Sequence, residues 1–123
     1  MRQPTILCVE DNKFVLSAVK QTLEMEGWLV EVCEEGTTAL AKINSNEHYD
    51  LIILDNDLPG VSGLELLQHA RTLDYRKQTP IIMFSARDIE REARQVGANA
   101  FLRKPEDMSA IAETVARLLA SEA

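Results

Sequence analysis

The sequence is poor in residues that cross-link a chain or bind soft metals. Its 123 residues include two cysteines, two histidines and one tryptophan. Cys8 and Cys33 each lie inside an apolar segment, so we predict two buried free thiols with no disulfide or metal-binding role. His48 and His69 lack a partner at ligand spacing and are predicted to be ordinary exposed residues. We therefore expect neither a disulfide scaffold nor a structural zinc domain.

Long apolar runs and an excess of positive charge are also missing. No apolar stretch approaches the roughly 18–20 residues of a membrane span, and no basic region followed by an apolar stretch marks a signal peptide. The net charge of −7 argues against binding of nucleic acid or anionic membranes by this domain. We therefore expect a cytoplasmic protein with no direct contact to nucleic acid or membrane.

What the chain does contain is a regular alternation of apolar segments and segments with helical spacing. Apolar residues make up 46% of the sequence, enough for a core, and the length fits one domain over residues 1–123. Five apolar segments are predicted to be β-strands. They are Thr5–Val9, Leu29–Cys33, Leu51–Leu54, residues 81–84 and Ala100–Arg103.

Five helices are predicted between and after these strands. Asn12 and Asp88 are the expected N-caps of the first and fourth helices, and Ser62 with Glu65 matches a capping box for the third. The predicted helices cover residues 13–26, 37–44, the stretch after Ser62, 89–96 and 108–120.

Repeated strand–helix units predict an α/β fold with a parallel sheet between two layers of helices. For five strands we expect the order 2-1-3-4-5, a flavodoxin-like three-layer sandwich. Its binding crevice lies at the carboxyl ends of the first and third strands. The second strand lies at the sheet edge, so Glu34 and Glu35, which follow it, are expected away from the crevice.

Chemically active side chains follow the other four strands. Glu10 and Asp11 follow the first, Asp55 the third, Ser85 the fourth and Lys104 the fifth. Clustered carboxylates repel each other and favour a hard divalent cation such as Mg²⁺. A lysine and a hydroxyl beside them can contact a bound phosphoryl group. A carboxylate such as Asp55 can then be a covalent phosphoryl acceptor.

At these positions the sequence resembles the receiver domain of two-component response regulators, and the resemblance covers essentially the whole chain. It rests on several short motifs that occur in family order at the predicted strand ends. The motifs are Val9-Glu10-Asp11-Asn12, Leu54-Asp55-Asn56-Asp57-Leu58-Pro59-Gly60 with Gly63, Ser85-Ala86, and Lys104-Pro105.

The resemblance implies a role for each matching residue. Asp55 would accept a phosphoryl group from a phosphohistidine on a sensor histidine kinase or a histidine phosphotransfer protein. Lys104 would pair with Asp55 and then with the phosphoryl oxygens, while Ser85 would move to hydrogen-bond the phosphoryl group. Phe101 would be the switch aromatic that turns inward as Ser85 moves. The Lys104–Pro105 bond is a candidate cis peptide.

The resemblance also implies a metal site and two variable positions beside it. Glu10, Asp11, Asp55 and the backbone carbonyl of Asp57 would hold Mg²⁺ or Mn²⁺, with Glu10 acting through a metal-bound water. Asp57 and Arg87 match the positions that tune access of the hydrolytic water. They carry opposite charges, and our hypothesis is that they pair and lengthen the lifetime of the acyl phosphate.

The family further implies an output surface and the kind of protein. The surface comprises the fourth helix, the fifth strand and the fifth helix, where a downstream protein would bind. Arg91, Arg94 and Arg103 lie in or near it and either contact that partner or merely solvate the face. The protein would not be an enzyme beyond its own phosphorylation and dephosphorylation.

Two other functions remain open at this point. Asp55-Asn56-Asp57 also resembles the D-x-D nucleophile of haloacid-dehalogenase-like phosphatases, although that motif follows the first strand in its own family and belongs to a longer chain. Alternatively, the protein is a receiver-like module that binds partners without being phosphorylated. Such modules typically lack an acid, the acceptor or the lysine, whereas this chain has all of them.

Overall fold

The computed structural model describes residues 3–121. Its five strands form one parallel sheet in the order β2-β1-β3-β4-β5, which confirms the predicted fold and strand order. The strands are β1 Thr5–Val9, β2 Leu29–Cys33, β3 Leu51–Leu54, β4 Ile81–Ser85 and β5 Ala100–Arg103.

Within residues 3–121, five α-helices and two short 3-10 helices lie between the strands or after the last one. The α-helices are α1 Lys13–Glu24, α2 Gly36–Asn44, α3 Gly63–Ala70, α4 Glu90–Gln95 and α5 Ile111–Ser121. The 3-10 helices are Asp74–Arg76 and Met108–Ala110, so the fifth predicted helix begins with a tighter turn. Among residues 3–121, no helix is long and apolar enough to cross a membrane.

The sheet separates two apolar cores because side chains alternate between its faces. Ile52 and Leu54 of β3 belong to the core that α2, α3 and α4 cover, whereas Leu51 and Ile53 belong to the core under α1 and α5. All four are at most 1% exposed, and burial of each contributes roughly 1.5–3 kcal/mol. The central strand is therefore held from both sides, as expected for a parallel sheet.

Most of the predicted local features are confirmed. Asn12 caps α1 by accepting hydrogen bonds from two backbone N–H groups, and Ser62 and Glu65 form the capping box of α3. Cys8 and Cys33 are buried free thiols. The prediction for the histidines holds only in part. His48 is exposed and contacts Asp50 at 2.9 Å, whereas His69 is half-buried and contacts Asn44 at 2.6 Å.

The predicted cap of the fourth helix is wrong. The N-cap position of α4 is Ile89, which makes no capping hydrogen bond with its side chain. Asp88 instead forms an ion pair with Arg103 at 3.0 Å. The carboxylate that would satisfy the first turn of α4 is thus used to connect the preceding loop to β5.

A buried arginine secures the end of α2. Arg76 is 2% exposed, and its guanidinium carbon lies 5.0 Å from the ring centroid of Tyr49 and 4.8 Å from that of Tyr75. Its guanidinium donates to three backbone carbonyls around the C-terminal end of α2, at 3.3, 3.0 and 3.2 Å: those of Lys42, Ile43 and Ser45. A helix ends with carbonyls that lack a partner within the helix, and here Arg76 supplies them with a charged donor in addition to Ser45 and Tyr75.

Replacing Arg76 with methionine is expected to destabilise the domain by about 2–3 kcal/mol, because it leaves buried or half-buried carbonyls without a charged donor. Urea unfolding followed by circular dichroism measures this. The matched control is Arg91→Met on the exposed side of α4, which should change the free energy of unfolding by less than about 0.5 kcal/mol. Equal midpoints for the two variants would show that Arg76 does not hold α2.

Candidate functional site

The carboxyl ends of β1, β3, β4 and β5 bring the predicted site residues to one edge of the sheet. Asp55 follows β3 directly, and its N–H donates to the carbonyl of Val9 at 2.9 Å. Asp55 is 4% exposed, so its side chain is almost completely buried. The backbone of the acceptor candidate is therefore fixed by the same sheet that forms the core.

The loop after β3 packs closely against Asp55. A Cβ atom on Gly63 would lie only 2.3 Å from the carbonyl oxygen of Asp55, so any larger residue would push the loop away. The N–H of Gly63 donates to the carbonyl of Asn56 at 3.1 Å, and the Asn56 side chain accepts from the N–H of Leu64 at 3.0 Å. The start of α3 is thus tied to the end of β3.

Three carboxylates meet at this edge. One oxygen each of Glu10, Asp11 and Asp55 lies within 4.8 Å of the other two. Glu10 is 2% exposed and accepts from the N–H of Asn12 at 3.0 Å, whereas Asp11 is exposed. The structure therefore brings together the three acidic side chains that the sequence analysis singled out.

Lys104 enters the cluster from β5. Its ammonium forms a very short contact with Glu10 Oε1 and lies 3.4 Å from Asp55 Oδ1. It also lies 5.1 Å from the ring centroid of Phe84, and its side chain is 15% exposed. The predicted pairing with Asp55 is present, but the hydrogen bond goes to Glu10. The Lys104–Pro105 peptide is cis, as predicted.

The excess of negative charge changes the acidity of the acceptor candidate. Burial and, after it, repulsion by Glu10 raise the pKa of Asp55 to about 7, although Lys104 and the N–H of Asp57 act to lower it. The N–H of Asp57 donates to Asp55 Oδ1 at 3.3 Å. The charged form of Asp55 is therefore costly in the isolated domain, and a positive charge placed beside it would be favourable.

The acidic cluster fits a small divalent cation. Mg²⁺ binds oxygen ligands at about 2.0–2.1 Å and usually keeps several waters, so oxygens on opposite sides of it stand about 4.2 Å apart. The carboxylate oxygens of Glu10, Asp11 and Asp55 are within 4.8 Å of one another, close to this requirement. The exposed Asp11 leaves one side open to water and a phosphate oxygen.

Ser85 and Arg87 border the site on the β4 side. Ser85 is fully buried, and its Oγ accepts from the N–H of Arg87 at 3.1 Å. Arg87 Nε lies 2.9 Å from Asp57 Oδ1, with the two side chains 67% and 49% exposed. The predicted pairing of Asp57 with Arg87 is confirmed, whereas its effect on water access stays a prediction.

Phe101 is nearly buried in the core under α2–α4, at 9% exposure. The guanidinium carbon of Arg103, two residues along β5, lies 5.8 Å from its ring centroid. The ring thus serves as a core residue in this conformation, and its role as a switch stays a prediction.

The expected position of Glu34 and Glu35 is wrong. Both line an open groove of about 480 Å³ together with Asp11. The reason is the pairing of β2 with β1, which brings the loop after β2 beside the loop after β1. The acidic surface therefore extends from the cluster toward α2.

Phe14 is a second feature that the sequence analysis did not identify. It is 89% exposed in the first turn of α1, close in sequence to Asp11. The available signal was its position off the stripe of Leu16, Val19 and Leu23, which forms the buried face of that helix.

The fold and this acidic edge define a class of signalling domain, and comparison with known proteins identifies the family. The model of the response regulator receiver domain matches residues 6–116. The chain belongs to this family, whose members act in signalling and are generally not catalysts. The match, with the motif on the third strand, favours the receiver interpretation over the phosphatase alternative.

The chain is similar to longer regulators and to isolated receiver domains. It is 36% identical to the uncharacterized transcriptional regulatory protein YkoG of Bacillus subtilis over 98% of this chain and 52% of that protein. Identity to the transcriptional regulatory protein HprR of Escherichia coli is 38%, over 94% of this chain and 50% of that one. The chain thus spans about half the length of these curated relatives.

Solved structures show the same fold. A response regulator receiver domain protein (CheY-like) from Methanospirillum hungatei JF-1 superposes with a TM-score of 0.88 at 31% identity, over 98% of this chain and 96% of that one. The receiver domain of Francisella response regulator 1452 gives a TM-score of 0.90 at 28% identity, over 98% and 100% of the two chains.

The raised pKa of Asp55 predicts how stability depends on pH. Between about pH 4 and 7, the Asp55 carboxyl loses its proton in the unfolded chain but keeps it in the folded domain. Asp55 therefore lowers the free energy of unfolding as the pH rises. Asp55→Asn removes the effect. In EDTA, we expect the variant to exceed wild type by on the order of 2 kcal/mol at pH 8 and by little at pH 4.

Chemical denaturation at both pH values measures this difference. The control is Asp74→Asn, which changes an almost fully exposed carboxylate far from the cluster and should leave the pH dependence unchanged. A variant of Asp55 that is no more stable than wild type at pH 8 would contradict the electrostatic interpretation of the site.

Proposed function

We propose that this domain accepts a phosphoryl group on Asp55 from a phosphohistidine of a sensor histidine kinase or a histidine phosphotransfer protein. The observation that carries the proposal is the meeting of Glu10, Asp11, Asp55 and Lys104 at the ends of three strands of a receiver fold. Membership of the receiver family supports it. The alternative, a receiver-like module that is not phosphorylated, does not account for a complete set of these residues.

The transfer step follows from the chemistry of a carboxylate. An oxygen of Asp55 attacks phosphorus, the P–O bond forms, and the P–N bond to the donor imidazole breaks, so that the imidazole leaves with its electron pair and takes up a proton. Lys104 stands 3.4 Å from Asp55 and can contact the phosphoryl oxygens as a point charge. The hydroxyl of Ser85 can donate a hydrogen bond to one of them.

A divalent cation, Mg²⁺ or Mn²⁺, would offset the charge that develops on the phosphoryl oxygens. Glu10, Asp11, Asp55 and the backbone carbonyl of Asp57 would hold it, and the oxygens of the first three are already close together. Glu10 also contacts Lys104, so it would act through a metal-bound water. Beyond its own phosphorylation and dephosphorylation, the domain would catalyse nothing.

The rim of the site suits a protein donor. Phe14 is 89% exposed at the start of α1, and Asp11, three residues before it, lines the acidic groove. An aromatic ring next to a charged groove offers both apolar contact area and a preference for partners with positive charge. The histidine-bearing protein would therefore approach over α1 and the loop after β2.

We propose that a downstream protein binds the surface formed by α4, β5 and α5. Arg91 and Arg94 are exposed on α4, and Arg103 is half-exposed at the end of β5. A net charge of −7 disfavours direct contact of this domain with nucleic acid. We take residues 1–123 as one receiver domain.

Labelling with acetyl phosphate and Mg²⁺ tests the acceptor. We expect wild type to gain one phosphoryl group, detected as a mass increase that hydroxylamine removes, because this reagent cleaves acyl phosphates. Asp55→Asn should not be labelled, and EDTA should prevent labelling of wild type. Asp74→Asn is the matched control, since it removes an exposed carboxylate elsewhere. Equal labelling of wild type and Asp55→Asn would exclude Asp55 as the acceptor.

The ion pair between Asp57 and Arg87 predicts the lifetime of the acyl phosphate. The pair lies beside Asp55 and would hinder the approach of a hydrolytic water. We therefore expect Arg87→Ala to speed dephosphorylation several-fold. This is about the change in the activation free energy of hydrolysis that an exposed ion pair can cause. Loss of the mass shift over time measures the rate. Arg91→Ala is the control, and an unchanged rate in Arg87→Ala would contradict the shielding hypothesis.

A further inference from the structure

The loop between β4 and α4 carries two adjacent charged residues that contact different parts of the molecule. Arg87 pairs with Asp57, with 2.9 Å between Arg87 Nε and Asp57 Oδ1. The N–H of Asp57 in turn contacts Asp55. Asp88 pairs with Arg103 at the end of β5, with 3.0 Å between Asp88 Oδ1 and Arg103 Nη2. One residue of the loop thus pairs with Asp57, a neighbour of the acidic cluster, and the next pairs with the strand that carries Phe101.

Arg103 connects this loop to a nearly buried aromatic ring. Residues two apart on a strand face the same side, and the guanidinium carbon of Arg103 lies 5.8 Å from the ring centroid of Phe101. The Arg103 side chain is 34% exposed, whereas Phe101 is 9% exposed. The guanidinium therefore covers part of the ring, and Asp88 fixes the guanidinium in that place.

The helix that follows the loop depends on this contact more than a longer helix would. α4 has six residues and no side-chain cap at its N-terminal end. Its C-terminal end is held by Arg71, which donates to the carbonyl of Gly97 at 3.1 and 2.8 Å. A helix this short is marginal by itself, so it depends on the burial of Ala93 in the core and on the contacts at its two ends.

We propose that the Asp88–Arg103 ion pair is a latch that favours the inward position of the Phe101 ring, the position expected of the switch aromatic after Ser85 moves, and couples the ring to the β4–α4 loop. Arg103 is a positioning residue in this scheme, because it acts through Phe101. If Ser85 reoriented toward a phosphoryl group, the hydrogen bond that its Oγ accepts from the Arg87 N–H would change. Asp88 directly follows Arg87 in this loop. Only the link from phosphorylation of Asp55 to the latch rests on the proposed function, since the latch itself belongs to the unmodified domain.

A second ion pair in the same region provides a matched control. Glu90 and Arg94 also pair at 3.0 Å, with side chains 48% and 51% exposed, but both belong to α4. Exposed pairs of this kind generally contribute little. If Asp88–Arg103 were only such a pair, breaking it would affect Phe101 no more than breaking Glu90–Arg94. A latch predicts that only the loss of Asp88–Arg103 exposes the ring.

The three phenylalanines of the chain make this measurable by ¹⁹F NMR after fluorophenylalanine labelling. Phe14, Phe84 and Phe101 are 89%, 2% and 9% exposed, so their signals should differ, and single Phe→Leu variants assign them. In Asp88→Asn and Arg103→Gln, we expect the solvent isotope shift of the Phe101 signal to report a two- to five-fold larger exposed population, roughly the effect of one surface ion pair.

The other signals and variants separate the latch from a general loss of structure. The Phe14 and Phe84 signals should not change, Glu90→Gln should leave all three as in wild type, and Asp88→Glu, which keeps the carboxylate, should restore the Phe101 signal. An unchanged Phe101 signal in both Asp88→Asn and Arg103→Gln overturns the latch. An equal change in Glu90→Gln overturns it as well.

The response to phosphorylation tests the coupling. With acetyl phosphate and Mg²⁺, wild type should show a change of the Phe101 signal that follows the labelling of Asp55. Asp88→Asn should be labelled to the same extent, but its Phe101 response should fall at least two-fold, in line with the loss of one exposed ion pair. An identical response overturns the coupling. Failure of wild type to be labelled overturns the proposed function instead, and the measurements on the unmodified domain still decide the latch.

Discussion

The ammonium of Lys104, set between the nearly buried carboxylates of Glu10 and Asp55, is the interaction on which the site depends. It contacts Glu10 and lies 3.4 Å from Asp55, yet one positive charge cannot balance both of them and Asp11. Burial and this imbalance raise the pKa of Asp55 to about 7. The carboxylates of this site therefore repel one another, and a bound divalent cation would offset that repulsion.

The rest of the domain supplies the rigidity that holds these charges together against their repulsion. β3 is buried on both faces, and the N–H of Asp55 is bonded to Val9 of the neighbouring strand. Gly63 allows the start of α3 to lie against the Asp55 carbonyl, where a Cβ atom would come within 2.3 Å. The acceptor candidate thus cannot retreat toward solvent without unpairing the sheet or displacing a capped helix.

The strand order and the acidic cluster could be predicted because they follow from strong, local signals: apolar runs, turn residues and carboxylates at strand ends. Two features that the sequence did not predict, the partner of Asp88 and the burial of Arg76, share another cause. Asp88 has the chemistry of an N-cap, but a distant arginine competes for it. Arg76 is buried although arginine is mostly exposed, because carbonyls and two tyrosine rings that are remote in sequence surround it. Contacts between distant segments leave no pattern in a single sequence.

Two kinds of contact hold the opposite ends of the sheet, and they differ in strength. At the amino ends of the strands, Arg71 donates to the carbonyl of Thr79 just before β4, and Asp50 accepts from the N–H of Thr5. Charged groups bonded to half-buried backbone are costly to separate. At the carboxyl ends, the β4–α4 loop is held by two ion pairs, Arg87 with Asp57 and Asp88 with Arg103. Exposed ion pairs of this kind cost little free energy to break. A chemical change at Asp55 therefore meets least resistance in this loop, so movement should begin there while the opposite end of the sheet stays fixed.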